Sequence, residues 1–88
     1  MKTYRVIVYG HVQGVGFRAF IYKQAQNLLL KGYVKNMSDG TLQIVLQGPE
    51  KQINQLVELA NDGPSLSKVT NIKITEEDME AFTDFHIE

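Results

Sequence analysis

Gly10-His11-Val12-Gln13-Gly14-Val15-Gly16-Phe17-Arg18 joins an apolar run, Tyr4 to Tyr9, to an apolar-periodic run, Phe17 to about Leu30. The first run has the near-continuous apolar character of a central strand. The second places Phe17, Ile21, Ala25 and Leu28 at helical spacing, with Lys23, Gln24 and Gln26 on the other side. Three glycines in the connection, Gly10, Gly14 and Gly16, remove Cβ atoms where a backbone turns sharply or approaches a ligand closely. A helix N-terminus presents unpaired N–H groups and the positive end of the macrodipole, and so suits an anion. Arg18 falls in the first helical turn, where a cation is mildly unfavourable. A bound anion gives that placement a reason. The stretch reads as a phosphate cradle with an arginine at its rim.

Working outward, Lys31-Gly32 ends the helix, with Gly32 as its C-terminal cap. Tyr33 to Met37 reads as a second strand, and Ser38-Asp39-Gly40 as a hairpin turn. In Thr41 to Gln47, Leu42, Ile44 and Leu46 face one way, and Thr41, Gln43, Val45 and Gln47 the other. Pro49 suits the first position of a second helix and Glu50 its first turn. Ile53, Leu56, Val57 and Ala60 carry the apolar stripe, and Asn61-Asp62-Gly63-Pro64 stops it. Ser67 to Thr75 is a fourth strand whose apolar phase slips between Val69 and Ile72, which predicts a bulge or an uneven start. Glu76-Glu77-Asp78 reads as a solvated acidic connection. Thr83 to Ile87 reads as a short last strand with Phe85 and Ile87 inward. This order predicts a single α+β domain over residues 1–88, a ferredoxin-like βαββαβ sandwich. Its antiparallel sheet has four to five strands and carries both helices on one face.

Composition narrows the function. The chain has 88 residues, 43% hydrophobic and 22% charged, with 9 basic and 10 acidic side chains. A net charge of −1 disfavours a general binder of nucleic acid or of a membrane surface. There is no cysteine, hence no disulfide framework and no thiolate chemistry. No apolar run has the length of a membrane span, and no signal-peptide core precedes the first strand, so a cytoplasmic protein is expected. His11 and His86 are far apart, and no metal-ligand spacing, Walker loop or nucleophile–base motif is present. Gly14-x-Gly16-x-x-Ala19, with Asp39 further on, also fits a dinucleotide fingerprint, but the chain lacks the further βαβ units of that fold. Lys31-Gly32-Tyr33 begins like an RNA-recognition motif that Val34 and Lys35 do not continue.

A strand–helix–strand crossover returns the chain in its original direction, so the first two strands end at the same edge of the sheet. With one strand between them, those ends lie about 10 Å apart. A phosphoryl group and a water fit that gap, with Arg18 on one side and Asn36 on the other. A mixed carboxylic–phosphoric anhydride is a suitable substrate for so sparse a site. Its leaving carboxylate, with a conjugate-acid pKa near about 4, departs without a proton. A loose transition state asks little of a general base. What remains is to hold the phosphoryl oxygens, stabilise their charge and align the water.

Val8-x-Gly10-x-Val12-Gln13-Gly14-Val15-x-Phe17-Arg18 resembles the acylphosphatase signature. Gly32-Tyr33-Val34-Lys35-Asn36-x-x-x-Gly40, continuing to Gly48, resembles that family's second signature, and the likeness covers essentially the whole chain. The resemblance implies metal-independent hydrolysis of acyl phosphates to a carboxylate and inorganic phosphate, with no cofactor. It implies Arg18 as the phosphate-binding arginine and Asn36 as the water-orienting asparagine. Gln13, Gly14, Val15, Gly16 and Phe17 become the loop whose amides, with Arg18, hold phosphate or sulfate. Met37 and Leu42 depart from the commoner threonine and valine. A monomer acting on a small-molecule acyl phosphate is expected, with neither nucleic acid nor membrane as partner. The rival reading is a non-catalytic domain of the same fold that binds phosphate or carbamoyl phosphate.

Overall fold

The computed structural model describes all 88 residues. Strands β1 (Lys2–His11), β2 (Lys31–Asn36), β3 (Leu42–Gly48), β4 (Lys68–Glu76) and β5 (Phe85–Ile87) alternate with helices α1 (Phe17–Asn27) and α2 (Glu50–Asp62). The sheet order is β4-β1-β3-β2-β5. β3 pairs antiparallel with both β1 and β2, and β4 pairs antiparallel with β1. The βαββαβ order and the five-stranded sheet agree with the sequence. One pairing differs: β5 lies parallel to β2, so the sheet is mixed.

Both helices pack on one face. Phe17, Ile21 and Ala25 of α1 and Ile53, Leu56 and Ala60 of α2 share one buried cluster with Val6, Val8, Val34, Leu42, Ile44, Leu46 and Phe85. Period-two patterning of the strands and helical spacing of the helices thus meet in a single core. The slip in β4 is a bulge. Tyr9 pairs with Asn71 and Gly10 with Val69, which leaves Thr70 as the extra residue. Gly10 is required there, because a Cβ at this position would lie 2.1 Å from Lys68 O.

Gly32 is not the cap of α1. It lies inside β2 with φ 129°, and a Cβ there would sit 1.9 Å from Val45 O. The helix ends earlier. Leu29 adopts the left-handed conformation, φ 58°, and Leu30 N–H donates to Ala25 O at 2.9 Å, which carries the Leu30 side chain back into the core. The hydrophobic pull on Leu30 offsets a strain that a glycine at Leu29 would have avoided. At the start of α2, Pro49 is the capping residue and Glu50 the first helical one.

The acidic connection is likewise not merely solvated. Residues 77–84 cross the sheet face opposite the helices. The guanidinium of Arg5 donates to Glu77 through Nε at 2.6 Å and Nη2 at 2.9 Å. Gln47 donates to Glu80 O and accepts from Phe82 N–H, both at 2.8 Å, and Phe82 packs edge-on against Tyr33. This crossing explains why every residue of β3 is buried on either face. It also delivers β5 alongside β2 in the parallel sense. The Arg5 hydrogen bond holds the Glu77 carboxyl below the usual glutamate range. The stabilisation is therefore present above the ordinary glutamate value and fades as pH falls through the lowered one.

Gly32→Ala brings a Cβ against backbone that cannot move aside. It is expected to cost about 2–4 kcal/mol, at the high end for a single substitution. Gly40→Ala, also at positive φ but facing open space, is expected to cost only about 1–2 kcal/mol. Urea denaturation of both variants checks the ordering.

Candidate active site

β1 and β2 run in the same direction with β3 between them, so the glycine loop after β1 and Asn36 at the end of β2 meet at one sheet edge. A cleft of about 260 Å3 opens there, lined by Val12, Gly14, Gly16, Phe17, Arg18, Ala19, Asn36 and Ile87. The structure thus brings together Gly14, Gly16, Phe17, Arg18 and Asn36. Gln13 and Val15, whose main-chain amides are expected at the phosphate, contribute no side chain to the lining. Val15 packs against the core, and Gln13 turns its side chain to the β2–β3 hairpin.

The loop is shaped by backbone conformation. Gly14 and Gly16 have φ of 73° and 79°, and neither has an atom within 4 Å of where a Cβ would stand. Left-handed backbone, rather than lack of room, therefore calls for glycine at these two positions. Gly16 caps α1 without a side-chain hydrogen bond, and no acidic residue occupies the first turn. The earliest helical amide to find a protein acceptor is that of Phe20, on Gly16 O at 3.1 Å. The amides before it are open donors at the positive end of the helix.

Arg18 pairs with no side-chain carboxylate. Its Nη1 donates to the main-chain O of Glu88 at 2.9 Å, which anchors the guanidinium beside β5. Asn36 is held by the β2–β3 ladder opposite Leu42, and its Oδ1 is a buried acceptor with no partner in the protein. Such an atom costs about 1–3 kcal/mol unless something donates to it. A water or substrate proton in the cleft would do so. No group of three or more His, Cys, Asp or Glu side chains is arranged to hold a metal ion.

Sequence reasoning missed the surroundings of β5. His86 stacks on Tyr33, with ring centroids 5.9 Å apart. Its Nε2 lies 2.8 Å from Glu88 Oε2 and its Nδ1 3.3 Å from Asp84 Oδ1. The alternation Asp84-His86-Glu88 was the available signal, since residues two apart on a strand share a face.

A family model for acylphosphatase matches residues 4–87. The chain belongs to the acylphosphatase family. The acylphosphatase of Methanocella arvoryzae is 50% identical over 76 residues, covering 86% of each chain. The crystal structure of acylphosphatase from Bacillus subtilis superposes with a TM-score of 0.96 at 44% identity, over 100% of this chain and 99% of that one. A crystal structure of full-length HypF in the phosphate- and nucleotide-bound form contains a similar unit. Its TM-score is 0.93 at 36% identity, over 99% of this chain but 12% of the longer one. Within this family framework, the cleft between the glycine loop and Asn36 is the candidate active site.

The Glu88 hydrogen bond, with a smaller contribution from Asp84, raises the His86 pKa above the ordinary 6.5. Folding thus favours the charged ring. Its contribution is complete below the ordinary imidazole value and is lost as pH rises through the raised one. An NMR titration is expected to place the His86 midpoint above 6.5, and Glu88→Gln should lower it.

Proposed function

We propose that this cleft carries out the acylphosphatase reaction of the family, hydrolysis of the carboxyl–phosphate bond of an acyl phosphate, with Arg18 and Asn36 as its catalytic side chains. One cleft holds three complementary groups, and this supports the reading: the open amides of the first turn of α1, an arginine with no side-chain carboxylate partner, and the orphan Oδ1 of Asn36. The amides of Gly14 to Phe17 and the Arg18 fork bind the phosphoryl oxygens and neutralise charge that builds there. Asn36 Oδ1 accepts a hydrogen bond from the attacking water and aligns it with phosphorus. The P–O bond to the acyl group breaks, and its electron pair leaves with the carboxylate. No acid is needed for so weak a base, and the water's proton passes to a phosphoryl oxygen or to solvent. The products are a carboxylate and inorganic phosphate, with no cofactor in the scheme.

We further infer a single-domain cytoplasmic monomer that uses neither nucleic acid nor a membrane as partner. A single buried core cluster and a net charge of −1 support this. The alternative is a domain of the same fold that binds phosphate without turning it over, since a similar unit also occurs as 12% of the longer HypF chain.

Benzoyl phosphate hydrolysis tests the assignment. Arg18→Lys replaces a fork with a point charge and is expected to lower kcat/KM by about 10²-fold or more. Asn36→Ala is expected to lower kcat by about 10²-fold while leaving inorganic phosphate affinity within about threefold. Near wild-type rates in both variants would overturn these roles. Thermal stabilisation by inorganic phosphate without turnover by the wild type would favour the binding domain.

A further inference from the structure

Gln13 stands immediately before the first left-handed glycine of the loop, and Met37 immediately after Asn36. The two are joined. Gln13 Nε2 donates to Met37 O at 2.7 Å and to Thr41 O at 3.1 Å. Both protons of the amide are thereby used, and both acceptors are main-chain atoms at the mouth of the β2–β3 hairpin.

The hairpin is itself closed tightly. Met37 N–H donates to Thr41 O at 2.9 Å and Gly40 N–H to Met37 O at 3.1 Å. Asp39 Oδ1 accepts from Thr41 N–H at 3.0 Å and from the Thr41 hydroxyl at 2.6 Å. Those bonds hold the Asp39 carboxyl below its usual range. The Gln13 amide therefore enters a pre-formed ring of backbone carbonyls, each of which already accepts one hydrogen bond and has a second lone pair to offer. No other hydrogen bond joins residues 12–16 to this hairpin.

We propose that the Gln13 side chain is a positioning residue, a strut that fixes the phosphate-holding loop relative to Asn36 and so sets the alignment of the attacking water with phosphorus. The inference rests on the reading of this cleft as a site of acyl phosphate hydrolysis. Gln13 touches neither water nor phosphate in this role, because its donors are spent on Met37 and Thr41. Phosphate binding depends on the loop amides and Arg18, which remain on one side of the strut. Alignment depends on the distance across it. In-line attack is sensitive to displacements of about 1 Å, whereas a phosphate held by several donors tolerates more. Loss of the strut should therefore reduce kcat more than binding.

A pair of substitutions separates this role from a general contribution to folding. Gln13→Ala removes the strut. Gln13→Glu keeps the shape, but its carboxylate faces two carbonyl oxygens with nothing to donate. Once protonated, it can donate one hydrogen bond to Met37 O. The titratable and charged groups of the elements that meet here are His11 at the end of β1 with Lys68 opposite it on β4, Arg18 in α1, Lys35 in β2 and Asp39 in the hairpin. Asp39 and the two carbonyl oxygens push the introduced carboxyl upward.

With benzoyl phosphate, Gln13→Ala is expected to lower kcat about tenfold or more, with KM and inorganic phosphate affinity within about threefold of wild type. Gln13→Glu should be at least as impaired at neutral pH. Its kcat should recover as pH falls through the introduced carboxyl's pKa, while Gln13→Ala follows the wild-type profile. The proposal is overturned by kcat within about twofold of wild type in both variants, by parallel loss of kcat and phosphate affinity, or by matching Glu and Ala pH profiles. Circular dichroism accompanies the assays, and loss of the folded state in both variants would make the residue structural and overturn the proposal as well. A wild-type protein without turnover would sink the functional reading itself, and the strut with it. An active wild type with unaffected variants would sink the strut alone.

Discussion

Open backbone donors at the start of α1 are the constraint around which the molecule is built. Positive φ at Gly14 and Gly16 turns the chain from β1 into the helix without a side-chain cap. The amides before Phe20 therefore lack protein acceptors. Serine, threonine, aspartate and asparagine are the side chains preferred for closing this end of a helix. A helix that leaves it open, with an arginine in the first turn rather than an acid, is better matched to an external anion than to itself. The same feature explains how a site with so few side chains can work. Fixed dipoles supply charge stabilisation without rearranging during the reaction.

The rest of the fold holds that loop opposite Asn36. The crossover through α1 places β1 and β2 parallel on either side of β3, so their ends share an edge. β3 cannot shift, because both of its faces are covered. The helix-side core takes Leu42, Ile44 and Leu46, while the crossing segment satisfies Gln47 and, through Tyr33, Gln43. The same segment leads into β5, whose end receives Arg18 through Glu88 O. Scaffold and site are therefore continuous: the arginine is steadied by the strand that the crossing segment brings into the sheet.

Much of this was legible in the sequence, for identifiable reasons. Apolar periodicity is set by the core, and it located both helices, the central strands and the bulge opposite Gly10. Arg18 and Asn36 could be brought together because a βαβ crossover has a fixed sense. The misreadings share a cause, which is that local chemistry does not reveal tertiary neighbours. Gly32 has the composition of a helix cap, yet it answers to Val45 O on the adjacent strand. Glu77 sits in an acidic run, yet Arg5 lies across the sheet from it. The partners of His86 appear only once β5 is laid beside Tyr33.

Whether the open amides at the start of α1 hold an anion is tested by titrating inorganic phosphate into the protein and following its 1H–15N NMR spectrum. Saturable shifts are expected, largest at the backbone amides of Gly14 to Ala19 and smaller at Asn36. Amides of that loop that stay fixed while a different cluster of residues responds would contradict anion binding at this end of the helix.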